Sequence, residues 1–202
     1  MEYPVVEHFY SPQGEGLFAG APAFFVRLFG CPVKCKWCDT QESWRATPSA
    51  KMSAEEIAKL AAQTKCGFAV ITGGEPTIHP LQELVDAFHA RNIRVHLETS
   101  GVMEKTADFD WITLSPKLFA NTHSSYLESA DEFKFIVSNR EEITEYVSRF
   151  EKYIDEKKAV FITPEWSRVS DRELLDAISE TVKTLGAPYR LGCQLHKYYF
   201  VK

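Results

Sequence analysis

The stretch Ala23-Phe24-Phe25-Val26-Arg27-Leu28-Phe29-Gly30 leads directly into Cys31-Pro32-Val33-Lys34-Cys35-Lys36-Trp37-Cys38. Its first half is a run of aromatic and branched residues, a pattern that predicts a buried strand. Its second half has three cysteines at C-x3-C-x2-C spacing. The sequence therefore predicts a loop of thiols at the C-terminal end of a strand.

The order of strand and then helix repeats after this loop. Ser53-Ala54-Glu55-Glu56 has the pattern of a capping box and predicts a helix that continues towards Thr64. Residues 68–72 form a short apolar strand, followed by Gly73-Gly74-Glu75-Pro76 and a helix with Pro80 near its start. The remaining predicted strands are residues 93–99, 110–114, 132–137, 159–162 and 190–196, and the remaining predicted helices are about 140–156 and 171–185, with Gly186 as the helix stop.

This alternation is typical of a mainly parallel sheet with right-handed crossovers. Residues 101–109 and 115–131 lack the long apolar stripe of a crossover helix. We therefore predict an α/β fold in one domain, residues 1–202. It should be an incomplete, partly TIM-like barrel of about six mainly parallel strands with reduced helices.

Charge and hydropathy exclude several classes of protein. Lys and Arg total 23 against 28 for Asp and Glu, a formal net charge of -5, so no overall basic field favours nucleic acid or anionic lipid. Residues 1–7 lack the features of a secretory signal, and the longest uncharged apolar run, residues 17–26, is too short to span a bilayer. We expect a cytoplasmic protein without a nucleic-acid or membrane partner.

The five cysteines are unevenly spread, with Cys66 and Cys193 far from the other three. Three thiolates on one short loop can hold three irons of a cubane and leave the fourth iron open. The alternative is a structural zinc site, but zinc would need a fourth ligand, and Cys66 and Cys193 are too far apart in sequence to make a second closely spaced pair. The spacing favours the cluster, and we interpret Cys66 and Cys193 as small buried hydrophobes.

On its own, Gly73-Gly74-Glu75-Pro76 is as consistent with an ordinary βα turn as with a ligand loop. Together, a C-x3-C-x-aromatic-C loop after one strand and a GGEP turn after the next resemble the radical S-adenosylmethionine superfamily. That resemblance implies a [4Fe–4S] cluster on Cys31, Cys35 and Cys38 and reductive cleavage of S-adenosylmethionine to a 5′-deoxyadenosyl radical. Trp37, Cys38 and Asp39 would lie along the adenosine, and Gly74 and Glu75 would serve the methionine amino group.

Several further motifs resemble one family within this superfamily, the 7-carboxy-7-deazaguanine synthases. They are Ser11-Pro12-Gln13-Gly14-Glu15-Gly16, Arg27, Cys38-Asp39-Thr40, Thr72-Gly73-Gly74-Glu75-Pro76, Glu98-Thr99-Ser100-Gly101, Ser115-Pro116-Lys117 and Gln194-Leu195-His196-Lys197. The resemblance implies conversion of 6-carboxy-5,6,7,8-tetrahydropterin to 7-carboxy-7-deazaguanine with loss of ammonia. It also implies a shortened barrel, a homodimer, and a flavodoxin or ferredoxin reductant, which Lys34 and Lys36 would steer unless they are merely solvated.

The same resemblance implies residue roles, several of which have a simpler alternative. Arg27 would clamp the substrate carboxylate or else face solvent, and Thr40 would bind Mg²⁺ or else hold the loop end together with Asp39. The other implied substrate contacts are Pro12, Gln13 and Gly14, which an ordinary hairpin turn would also explain, and Thr72. The other implied cofactor contacts are Ser115, Pro116 and Lys117, with Thr163-Pro164-Glu165-Trp166 as a further candidate.

Two other functions are consistent with parts of the sequence. A small activase of a glycyl-radical enzyme would share the cysteine loop and the GGEP turn, and a zinc-stabilised binding module would share only the thiols. One departure from the family also stands out. Its members commonly end in a proline whose carboxylate meets the substrate, whereas this chain has Phe200-Val201-Lys202 there.

Overall fold

The computed structural model describes residues 1–45 and 47–202. Its strands are β1 (Glu2–Pro12), β2 (Pro22–Leu28), β3 (Ala50–Ser53), β4 (Phe68–Gly73), β5 (Arg94–Thr99), β6 (Trp111–Leu114), β7 (Glu132–Val137), β8 (Ala159–Pro164) and β9 (Tyr189–Leu191). Its helices are α1 (Glu42–Arg45), α2 (Ala54–Ala62), α3 (Gln82–His89), α4 (Ser124–Ser129), α5 (Arg140–Phe150), α6 (Arg172–Leu185) and α7 (Leu195–Tyr199), with short 3-10 turns at Pro76–Ile78, Glu151–Tyr153 and Trp166–Arg168.

The nine strands of the described residues form one sheet in the order β3-β1-β2-β4-β5-β6-β7-β8-β9. From β2 to β9 neighbouring strands are parallel, and β1 is antiparallel to both β2 and β3. Within the described part of the chain, β3 and β9 are the two edges, so the sheet does not close into a barrel.

The two faces of the sheet bury different side chains because successive strand residues point to opposite faces. Val26, Ile71, Leu97 and Phe133 belong to the large core beneath helices α2 to α6. The other face carries a smaller apolar cluster around Phe25 and Val70. This second face is the inner face of the sheet. Towards the carboxyl ends of the strands it carries polar side chains, and the ligand-binding candidates lie there.

Local signals account for the main helices. The Ser53 hydroxyl accepts a hydrogen bond from the Glu56 backbone, and the Glu56 carboxylate accepts one from Ser53, which makes the predicted capping box at α2. Asp171 caps α6 at its start, and Gly186, with φ 69°, ends it. The predicted shortage of crossover helices is confirmed, because residues 101–110 contain no helix and residues 115–131 contain only α4.

The α/β class and the incomplete, mainly parallel barrel are confirmed, since the sheet does not close; within the described residues it has nine strands rather than about six. One predicted strand is wrong in part: residues 190–196 contain the end of β9 and then the start of α7. No helix of the described residues is long and apolar enough to cross a membrane. The single domain over residues 1–202 stays a prediction, which one sheet reaching from Glu2 to Leu191 favours.

Candidate active site

A cavity of about 280 Å³ opens on the inner face at the carboxyl ends of the parallel strands. Ligands of open α/β sheets bind at this edge, because loops after successive strands converge there. The cavity is lined by these sequence-predicted residues: Gln13, Gly14, Arg27, Cys31, Cys35, Trp37, Cys38, Asp39, Thr40, Thr72, Gly74, Ser115 and Lys117. Pro12, Glu75 and Pro116 do not line it.

The cysteine loop forms one end of the cavity. Gly30, which begins the loop, donates its backbone N–H to Ser43 O at 2.7 Å, and Cys38 N–H donates to Cys35 O at 3.2 Å. Cys35 is buried, and Cys31 and Cys38 are half-buried; all three thiols are free. Burial raises the pKa of the Cys35 thiol, and the nearby Cys38 and Cys31 add to this, while Lys117 opposes it.

The GGEP turn packs directly against this loop. Glu75 N–H donates to Gly30 O at 2.8 Å, and Gly74 N–H donates to Leu28 O at 3.1 Å. A Cβ on Gly74 would lie 2.2 Å from Gly30 O and 2.7 Å from Cys31 Cβ, closer than atoms can approach. Glycine is therefore required at this contact, and the two motifs that the sequence suggested as partners touch each other.

The Glu75 carboxylate is fully buried and already engaged by protein donors. Its Oε1 accepts from the hydroxyls of Thr99 at 2.6 Å and Thr77 at 2.8 Å, and its Oε2 accepts from Ser100 N–H at 2.8 Å and from the Ser100 hydroxyl. This side chain ties β4 to β5. Any contact with the methionine amino group would have to share these oxygens, since Glu75 does not line the cavity.

Lys117 brings a buried positive charge to the cysteine end. Its ammonium donates to Ser115 Oγ at 2.8 Å and to Ser115 O, and it lies 5.5 Å from the centre of the Trp37 ring. Burial lowers its pKa to about 8, and the nearby Cys35 limits this fall. The Tyr146 hydroxyl donates to Pro116 O at 2.9 Å, so Pro116 helps to hold the segment without reaching the cavity.

Arg27 and Thr72 lie next to each other as register partners on β2 and β4. The Arg27 side chain is only 17% exposed, which excludes the solvent-facing alternative. Its Nε donates to Glu7 Oε1 at 3.0 Å, and Lys202 Nζ lies 2.6 Å from Glu7 Oε2. Among the described residues, the two Arg27 Nη atoms have no side-chain hydrogen bond, so the guanidinium fork is available to a ligand.

A network of charged side chains that the sequence did not predict lines part of the cavity. Lys134 on β7 bridges Glu15 and Glu98, at 2.9 Å from Glu98 Oε2. Burial would lower the pKa of Lys134, but the two carboxylates raise it above its usual value. Gln13 Nε2 donates to Glu98 Oε1 at 3.3 Å, and Gln194 Nε2 donates to Glu15 Oε1 at 2.7 Å.

Asp39 and Thr40 lie where the cysteine loop meets α7. Thr40 Oγ1 donates to Asp39 Oδ1 at 3.2 Å, as the loop-holding alternative predicted. Lys197 Nζ lies 2.8 Å from Asp39 Oδ2. Burial would raise the pKa of Asp39, but the Lys197 ammonium and the Gln194 amide hold it at about 2. Thr40 also lines the cavity, so its hydroxyl oxygen is within reach of a bound ligand.

The sequence missed Lys134 and assigned no role to Glu15, Glu98 or His196, all of which line the cavity. One signal could have found Lys134: it stands between Phe133 and Phe135, both fully buried, in a strand that alternates faces. Of the candidate segment 163–166, only Glu165 and Trp166 line the cavity.

The two isolated cysteines lie outside the cavity lining. The buried-hydrophobe interpretation is wrong for Cys193, which is exposed. Cys66 packs partly buried against the core, and this supports the interpretation there.

The donor set fits an iron–sulfur cubane better than a single metal ion. Within residues 1–45 and 47–202, no group of three or more His, Cys, Asp or Glu side chains converges closely enough to hold one ion. Cubane ligands need not converge, because each thiolate binds a different iron. Three free thiols on one cavity wall, with Lys117 as a countercharge, suit such a cluster and S-adenosylmethionine beside it.

Comparisons with known proteins agree with this geometry. Residues 26–162 match the family model described as "Radical SAM superfamily", and the chain belongs to that superfamily of enzymes, whose members use a [4Fe–4S] cluster and S-adenosylmethionine. A 7-carboxy-7-deazaguanine synthase from Synechocystis sp. is 38% identical over 202 residues, which cover 100% of this chain and 95% of that protein. One from Escherichia coli K12 is 35% identical over 225 residues, covering 98% of each.

A solved structure, "Crystal structure of QueE from Escherichia coli", superposes with a TM-score of 0.82 at 31% identity, covering 97% of this chain and 95% of that one. The chain therefore belongs to the 7-carboxy-7-deazaguanine synthase family. Full-length similarity of this kind decides against both alternatives, the glycyl-radical activase and the zinc-stabilised module.

Proposed function

We propose that this chain converts 6-carboxy-5,6,7,8-tetrahydropterin to 7-carboxy-7-deazaguanine with loss of ammonia, the reaction of queuosine biosynthesis that its relatives' name denotes. The observation that carries the proposal is that one cavity joins the cysteine loop, the GGEP turn and the Arg27–Thr72 pair. A cluster held by Cys31, Cys35 and Cys38 would supply the electron that cleaves S-adenosylmethionine.

The residues around that cofactor have separable roles. Trp37, Cys38 and Asp39 would flank the adenosine, while Gly74, which lines the cavity beside the cysteine loop, would lie at the methionine end. Ser115 and Lys117 would complete this wall, Pro116 and Glu75 supporting it from behind. The contacts of this wall bury Cys35 and leave Cys31 and Cys38 half-buried.

The substrate would occupy the polar half of the cavity. The free Nη atoms of Arg27 suit its carboxylate, because a guanidinium fork and a carboxylate match in geometry. Gln13, Gly14 and Thr72 line the same region and offer polar groups to a flat heterocycle, while Pro12 stands just outside it. Glu15 and Glu98, both paired with Lys134, keep carboxylate oxygens near the amino groups that a pterin carries.

Three further parts of the proposal concern partners. Thr40 would supply the one protein oxygen to Mg²⁺, an ion that usually keeps several waters and needs few protein ligands. An acidic flavodoxin or ferredoxin would deliver the electron at the exposed Lys34 and Lys36. A cytoplasmic homodimer is the assembly that we propose by analogy with the family.

Product formation tests the proposal. Anaerobically reconstituted protein given S-adenosylmethionine, dithionite and the carboxy-tetrahydropterin should release the deazaguanine, and Mg²⁺ should stimulate turnover.

Cys31→Ala should lose the cluster absorbance and all cofactor cleavage, since it removes one iron ligand. Thr40→Val should keep the cluster and uncoupled cleavage yet lose the response to Mg²⁺, whereas Thr40→Ser should retain it.

Cys66→Ala and Cys193→Ala serve as matched controls and should leave both the cluster and turnover intact. Cofactor cleavage without any deazaguanine would refute the proposed substrate. A Thr40→Val protein that responds to Mg²⁺ as the parent does would refute only the magnesium ligand.

A further inference from the structure

Glu132 is a buried carboxyl that the proposed reaction does not use. It is the first residue of β7, 2% exposed, and lies two positions before Lys134 on the same face of the sheet. It does not line the cavity. A carboxyl removed from water in this way is costly unless its oxygens find donors.

The main donor comes from the loop between β1 and β2. Leu17 N–H donates to Glu132 Oε2 at 2.7 Å, and the Thr113 hydroxyl lies 3.4 Å from Oε1. Gly16 packs against the same carboxyl so closely that it leaves no room for a side chain, since a Cβ there would lie 2.1 Å from Oε1. Gly16 also has φ +70°, the left-handed region that glycine adopts at no steric cost. The carboxyl is therefore seated in a tight backbone turn.

This turn carries cavity residues on its other side. Glu15, the neighbour of Gly16, bridges to Lys134, and the Gln13 side chain accepts Gly14 N–H at 2.8 Å while it donates to Glu98. Gly14 O accepts Leu195 N–H at 2.8 Å, which docks α7 on the turn. A shift of the turn would move the polar wall of the substrate region.

We propose that Glu132 is a positioning residue: by holding the Gly16–Leu17 backbone, it sets the place of Gln13 and Glu15 in the substrate region. The part about substrate rests on the proposed function, whereas the part about the turn does not. Gln13 and Glu15 would touch the substrate, and Glu132 acts through them.

Glu132 can hold the turn at neutral pH whether its carboxyl is protonated or ionised. Burial raises the pKa of Glu132 to about 7, Leu17 N–H opposes the rise, Glu98 and Glu15 add to it, and Lys134 opposes it. Either protonation state keeps an oxygen that accepts from Leu17 N–H. The contact with the turn therefore survives the titration of the group.

Hydrogen exchange of the anaerobically reconstituted holoenzyme tests the turn directly. Glu132→Met keeps the length of the side chain but removes both acceptors, so amides of residues 14–20 should exchange about tenfold faster. Glu132→Gln retains one acceptor oxygen and should rescue most of the protection. Gly16→Ala strains the same contact from the loop side, and its effect should not add to that of Glu132→Met.

Kinetics test the consequence for substrate. In Glu132→Met the KM for the carboxy-tetrahydropterin should rise about tenfold, with uncoupled cofactor cleavage within about twofold of the parent. Glu142→Met is the matched control, because it removes the acceptor of Ser138 N–H at the start of α5, away from the cavity. It should leave residues 14–20 and the KM unchanged.

Unchanged exchange of residues 14–20 in Glu132→Met would overturn the proposal, as would an equal loss of protection throughout β7, which would show a general packing role. Faster exchange with an unchanged KM would overturn the link to substrate. If the parent protein does not turn over the pterin at all, the proposed function fails, and the exchange result still decides what holds the turn.

Discussion

Arg27 shows how one side chain can divide its hydrogen bonds between the fold and a ligand. Its Nε is used by Glu7, itself paired with Lys202, while its Nη atoms are free among the described residues. The ion pair fixes the plane of the guanidinium. A carboxylate that approaches the cavity therefore meets an oriented fork and not a mobile charge.

Arg27→Lys keeps the positive charge but loses this planar fork. We expect kcat/KM for the carboxylated pterin to fall about 10- to 150-fold, the range for a charge-assisted hydrogen bond of about 1.5–3 kcal/mol. Uncoupled S-adenosylmethionine cleavage should stay within about twofold, since Arg27 is not part of the cofactor wall. The comparison of the two rates in one preparation is the measurement, and an equal loss of both would show that Arg27 supports the fold instead.

At this scale the motifs identified residues that do line one cavity, among them the three cysteines and Arg27, but not the charge network. A lysine such as Lys134 is predicted to be exposed by type, and only its pairing with Glu15 and Glu98, far away in sequence, makes burial tolerable. For Glu75 the predicted contact with the methionine amino group stays a prediction. The structure adds that Thr77, Thr99 and Ser100 already donate to its oxygens.

Among the structural elements, the turn after β4 leaves no room for a side chain at Gly74. Gly74→Ala would place a methyl group against backbone and against Cys31, where nothing can give way without moving the cysteine loop. We expect a loss of about 1–3 kcal/mol in stability and a reduced iron content after reconstitution. Thermal unfolding and iron analysis measure the two effects.

Gly67→Ala is the matched control for this element, because its Cβ would lie 3.7 Å from the nearest atom, Pro22 O, an ordinary contact. It should bind the same amount of iron as the parent protein. A Gly74→Ala protein with full iron content would contradict the packing argument.

Elements with a strong periodic pattern were predicted closely, and those defined by partners were not. The capping box and apolar spacing of α2 are local signals, so its start at Ala54 could be predicted. β3 pairs only with β1, and its four residues have no pattern of their own. The segment 190–196 has strand-like composition at both ends, but β8 offers partners only to its first residues and Leu195 is bonded to Gly14.

On the scale of the whole molecule, the open sheet places the apolar core that stabilises the fold on one face and the polar cavity on the other. The outer face of the sheet, opposite the cavity, is buried by helices in one continuous core. The inner face, which lines the cavity, can therefore carry charged and polar groups. The predicted incomplete barrel is consistent with this division, because the crossover helices of a barrel lie outside its sheet. The count of strands escaped prediction, since β1 and β3 extend the sheet on its antiparallel side.

The charge distribution of the molecule bears on how an electron reaches the cavity. The chain has a net charge of -5, yet Lys34 and Lys36 are exposed on the loop that covers the cysteine end. An acidic flavodoxin would be repelled by the whole and attracted at this loop. Lys34→Glu with Lys36→Glu should therefore slow flavodoxin-driven turnover about tenfold at low salt and flatten its dependence on salt.

Dithionite needs no docking surface, so turnover driven by dithionite should change little in the same double variant. Lys59→Glu with Lys65→Glu makes the same change in net charge at exposed positions outside the cavity lining, and should slow flavodoxin-driven turnover far less. The pair of controls separates local steering from the field of the molecule, because only local steering depends on where the charge is reversed. Equal damage with both reductants, or equal damage from both double variants, would rule out a docking role for this loop.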